Sequence, residues 1–69
     1  MTHYQEKLFW KEVDLIQQRH LIFFPKEQKK YLRIKETDDG TILEIQKENQ
    51  LSSIIILEIE FAFRLIYKP

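Results

Sequence analysis

Ser53-Ile54-Ile55-Ile56-Leu57-Glu58-Ile59-Glu60-Phe61-Ala62-Phe63-Arg64-Leu65-Ile66-Tyr67 is the stretch on which the fold turns. Ile55, Leu57, Ile59, Phe61, Phe63, Leu65 and Tyr67 occupy alternate positions, and Glu58, Glu60 and Arg64 fall between them. Strand side chains alternate between faces with a period of two, so the pattern predicts a long β-strand with one continuously apolar face. Fourteen or so residues at about 3.3 Å each reach about 46 Å, roughly twice the span of a seven-residue hairpin strand. The surplus must bend, pair within the chain or pair with another molecule, because an open isoleucine-rich edge invites aggregation.

Upstream, Asp38-Asp39-Gly40 separates two alternating segments, 31–37 and 41–47. Asp-Gly is a strong hairpin signal, since both turn residues tolerate positive φ. A two-residue turn at Asp39-Gly40 pairs Lys35 with Glu44, Ile34 with Ile45 and Glu36 with Leu43. Leu32, Ile34, Leu43 and Ile45 then share a dry face, while Arg33, Lys35, Glu44 and Gln46 share a wet one. Glu48-Asn49-Gln50 turns the chain back toward the long strand, which makes a meander.

Before the hairpin, residues 2–19 contain good helix formers without glycine or proline. Thr2 with Gln5 three residues on forms a weak capping-box pattern. At helical spacing Tyr4, Leu8 and Leu15 adjoin Phe9, Val13 and Ile16, opposite Lys7, Lys11, Asp14 and Gln18, and Trp10 lies outside the apolar sector. Leu21-Ile22-Phe23-Phe24 before Pro25 reads as a short strand, with an extension of the helix as the competitor. Lys26 to Lys30 reads as a polar connector.

The fold class expected is therefore α+β: an N-terminal helix on a small, mainly antiparallel meander of three or four strands, about 21–24, 31–37, 41–47 and 53–67. Its core should contain Leu8, Phe9, Val13, Ile16, Leu32, Ile34, Leu43, Ile45, Ile55, Leu57, Ile59, Phe61 and Phe63. Sixty-nine residues allow one small domain, and a chain of this size buries only about 60% of its unfolded surface. With no cysteine there is no disulfide to reinforce it, so oligomerisation is the leading route to a larger core.

Eleven basic and 11 acidic residues balance, which weakens any field for phosphate binding. The segment around Met1 to Lys7 lacks the pattern of a secretory signal, and the absence of cysteine fits a reducing compartment; a cytoplasmic location is expected. The C-terminal run is shorter than the ~20 residues a membrane helix needs and carries charges in its middle, so no membrane association is expected.

No motif points to catalysis, and neither an enzyme nor a cofactor is expected. His3 and His20 are the only histidines, at a spacing that recommends no metal site. Ser52 and Ser53 lack a nucleophile elbow and read as loop-to-strand punctuation. Glu58 and Glu60 share a strand face as an acid/base pair would, but they read instead as polar positions on the outer face of the strand.

Two binding readings remain. The face bearing Ile54, Ile56, Ala62 and Ile66, with Trp10, forms a second apolar surface, and Glu58, Glu60 and Arg64 among them could set register across a two-fold axis. This supports a non-enzymatic interaction module, a homodimer, adaptor, inhibitor or accessory subunit, that associates through its C-terminal strand with another protein or with itself. The alternative is nucleic-acid binding by Lys26, Lys29, Lys30, Tyr31, Arg33 and Lys35, cations for phosphates around a ring for stacking.

Overall fold

A computed structural model describes residues 3–22, 32–46 and 51–68. The elements run α1 (His3–His20), β1 (Leu32–Thr37), β2 (Gly40–Ile45) and α2 (Ser53–Tyr67). Among the described residues the only sheet is the two-stranded β1-β2 hairpin. The meander of three or four strands is therefore corrected to a helix pair with a hairpin. The C-terminal stretch, read as a long strand, is α2.

Helix wins over strand in 53–67 for reasons visible in its packing. Ile55, Ile59, Ala62 and Phe63 are buried, at steps of four, three and one that place them on one side of a helix. A helix also satisfies its backbone groups internally, whereas a strand of this length needs a neighbour throughout; the hairpin strands are only six residues long. Ser52 starts the helix: its backbone is extended and its side chain accepts from the amide of Ile55 at 3.3 Å. This N-cap satisfies one of the otherwise orphaned donors of the first turn.

The two helices run antiparallel. At one end Arg19 and His20 of α1 reach Glu58 in the first half of α2, and at the other the Gln5 side-chain amide donates to the Ile66 carbonyl at 3.3 Å. Between them Phe9, Val13 and Ile16 meet Ile55, Ile59 and Phe63, and Leu32 joins the cluster from β1. Phe9 is edge-on to both Trp10 (5.1 Å) and Phe63 (6.1 Å), and Tyr67 stacks on Phe63 at 4.8 Å. Of the core expected from sequence, Ile34, Leu43 and Ile45 pack partly buried against this cluster and Leu8 is half-buried. Leu57 and Phe61 instead point outward, 62% and 61% exposed.

The hairpin forms with a register shifted by two residues. Ile34 faces Leu43, Arg33 faces Glu44 and Thr37 faces Gly40, because the turn is Asp38-Asp39 and Gly40 alone carries the positive φ, at +124°. A shift of two preserves which side chains share a face. Lys35 still reaches Glu44, now diagonally, at 3.8 Å.

Leu21 and Ile22 do not begin a strand. Leu21 closes α1 in the left-handed region at φ 54°, its amide bonding Gln18 and that of Ile22 bonding Gln17, the pairing of a Schellman cap. Glycine usually occupies this position because a Cβ is strained there, and the Leu21 side chain is 84% exposed. Leu21→Gly is therefore expected to stabilise the domain by about 0.5–1 kcal/mol, a rise of several degrees in melting temperature. A lowered melting point would show that the leucine side chain stabilises this corner. Thr2, Phe23 to Tyr31 and Lys47 to Gln50 lie outside the described residues, and with them the proposed Thr2 cap, the rest of the 21–24 strand and the two connectors.

Candidate functional site

α2 is apolar on two sides, and only one is covered. Ile54, Leu57, Phe61 and Leu65 recur at steps of three and four and form a stripe along its outer side, each 60–63% exposed. Ile54, Leu57 and Phe61 line a shallow groove of about 390 Å³ with Glu58, Glu60 and Arg64 at its edges.

The two edges differ in chemistry. On the edge toward α1, Glu58 accepts from Arg19 at 2.8 Å and pairs with His20 Nε2 at 2.7 Å. On the edge toward the hairpin stand Glu60 and Arg64, which also border a groove with Ile42, Leu43 and Phe63. Among the described residues the side-chain ion pairs are Arg19–Glu58, His20–Glu58 and Lys35–Glu44, so Glu60 and Arg64 are not engaged in one.

The hydrogen bond from Arg19, reinforced by that with His20, holds the Glu58 carboxyl below its ordinary value of 4.5. A carboxylate whose pKa falls on folding binds more protons in the unfolded chain, so its stabilisation is complete above the ordinary value and is lost as pH drops through the lowered one. The wild-type urea midpoint is expected to fall as pH decreases below about 5, and Glu58→Gln should show a flatter acid limb. Parallel limbs would show that the Arg19–Glu58–His20 group does not tie the helices in solution.

The structure distributes the residues singled out by sequence. Ile54, Glu58, Glu60 and Arg64 lie on or beside the outer stripe. Ala62 is buried, Ile56 is half-buried, and Ile66 and Trp10 pack against the core. Leu57, Phe61 and Leu65 were missed as surface residues because period-two counting placed them on the strand's inner face. The signal that finds them is the 54-57-61-65 spacing itself.

Other candidates separate. Glu58 and Glu60 are two residues apart on a helix and point to different sides, not to one shared proton. Ser52 caps α2. His3 and His20 stand at opposite ends of α1, and among the described residues no group of three or more histidine, cysteine or acidic side chains is arranged to hold a metal. Of the basic segment, Lys26, Lys29, Lys30 and Tyr31 lie outside the described residues. Arg33 and Lys35 are exposed on β1, where Glu44 offsets the charge of Lys35.

Among the described residues no helix is long and apolar enough to cross a membrane. In comparisons with protein-family models, curated proteins and solved structures, nothing matches the chain.

Proposed function

We propose that this protein is a non-enzymatic interaction module that associates with a protein surface through the outer side of α2. The observation that carries the reading is the stripe Ile54, Leu57, Phe61 and Leu65, four large side chains aligned on one helix and more than half exposed. Contiguous apolar area of this kind on a small domain marks an association surface, and an amphipathic helix face laid against an apolar partner is a common way to use one. The placement of Ser52, Glu58 and the two histidines in capping and helix tethering, or apart from one another, favours binding over catalysis. A chain without cysteine acts equally well in a reducing compartment, which supports a cytoplasmic setting.

Site-specific photocrosslinking in the intact cell tests this reading. Benzoylphenylalanine in place of Leu57 or Leu65 is expected to give covalent protein adducts, and the same group in place of the exposed Gln18 on α1 none. Equal labelling from all three positions, or none from Leu57 and Leu65, would sink it.

A further inference from the structure

We infer that the partner is a second copy of this chain, with the two α2 helices packed antiparallel about a two-fold axis near Phe61. The inference rests on the association reading above and adds its occupant and orientation. Its ground is the charge pattern along the two edges of the stripe.

In an antiparallel pair related by a two-fold axis, each edge of a helix meets the same edge of its copy. With the axis at Phe61, the two Phe61 rings meet, Leu57 lies opposite Leu65 of the second copy, and Ile54 lies opposite the aliphatic stem of its Lys68. The edge toward the hairpin then brings Glu60 beside Arg64 of the second copy, and the symmetry makes the pair twice. Both groups lack an ion pair within their own chain among the described residues, so the contact breaks none of the monomer's ion pairs. Antiparallel alignment also sets each helix N-terminus near the other's C-terminus, which opposes their dipoles favourably.

The alternative orientation works against itself. Parallel packing joins unlike edges and sets Glu60 about 3 Å in height from Glu58 of the second copy, acid beside acid. Glu58, already shared between Arg19 and His20, has no comparable cation across the axis. Charge pattern therefore selects the antiparallel pair, and like-charge opposition is an effective way to exclude the other.

The available area agrees. At 60–63% exposure, the four stripe residues present roughly 500 Å² per copy, so a pair covers about 1,000 Å² before its polar rim is added. That is near the lower bound for a specific interface.

Sedimentation equilibrium from about 1 µM to about 1 mM tests the inference directly. The wild-type chain is expected to pass from one to two chain masses across this range. Glu60→Arg and Arg64→Glu, each of which makes both contacts repulsive, should each raise the dimer Kd about tenfold, and the double exchange should return it to within about threefold of wild type. An equimolar mixture of the two single variants should form a heterodimer tighter than either homodimer. Helical circular dichroism checks that each variant folds. A wild-type chain still monomeric at the highest concentration overturns the inference, as does a dimer indifferent to both single exchanges. If the chain is monomeric while Leu57 and Leu65 crosslink to other proteins, the association surface stands and only the second copy is removed; if neither occurs, both fall.

Discussion

Phe9→Ala is expected to lower the melting temperature by about 20 °C or to abolish the cooperative transition altogether. Phe9 is fully buried and sits edge-on to Trp10 of its own helix and Phe63 of the other, so it joins the two helices through the core. Truncating a buried phenylalanine costs about 3–5 kcal/mol in lost burial and cavity formation. A domain of this length has a total stability of roughly 3–10 kcal/mol. The loss is thus a third of that total or all of it. Trp10, the only tryptophan, reports the transition by fluorescence, and Gln18→Ala on the exposed side of α1 serves as the control, expected to change stability by about 0.5 kcal/mol or less. A drop of only a few degrees in Phe9→Ala would show that the helices are held together elsewhere.

Glu60→Pro is the second large effect, and it separates helix from strand at the position where the sequence is ambiguous. Glu60 is the eighth residue of the 15 in α2, so proline there removes the bond from its amide to the Ile56 carbonyl and pushes its ring into the preceding turn. The cost in a helix interior is about 3 kcal/mol or more. Glu60→Ala keeps the backbone bond and should change stability by only about 0.5 kcal/mol. Far-ultraviolet circular dichroism on the pair should show loss of helical signal in the proline variant alone. Retention of that signal by Glu60→Pro would contradict the placement of this residue inside a helix.

Much of the first half of the fold could be read from the residues. α1 appears over His3–His20 where uninterrupted helix formers predict it over 2–19, and Phe9, Val13 and Ile16 form its buried side. The hairpin forms around Asp38-Asp39-Gly40, and its two faces divide as the alternation implies. Register was less legible, because the Asp-Gly pair permits more than one turn and the choice depends on which residue takes positive φ. Only the backbone of Gly40 settles that.

The C-terminal stretch misled for a different reason. Ile54 to Leu57 are four apolar residues in succession, which fill every face of either element and erase the period between them. Glu58 and Glu60, two apart, then look like one wet face of a strand, although on a helix they diverge. Two signals favoured the helix: Ser52 standing three residues before Ile55 as a cap, and a length of 15 residues, long for a strand and ordinary for a helix. With the period changed, the candidate surface changes membership. Ile54, Glu58, Glu60 and Arg64 stay with it, while Leu57 and Phe61 come out of the supposed core and, with Leu65 from the same inner strand face, form its centre.

The bond from Gln5 to the Ile66 carbonyl joins residues 61 apart in sequence, and it has a mechanical corollary. Because the helices lie head to tail, tension applied at residues 5 and 66 loads this one junction and then opens the interface turn by turn, like a zipper, without shearing all of it at once. The domain should therefore yield at low force when pulled from those sites, and resist far more when gripped at Gln5 and Leu51, where the same packing is dragged lengthwise.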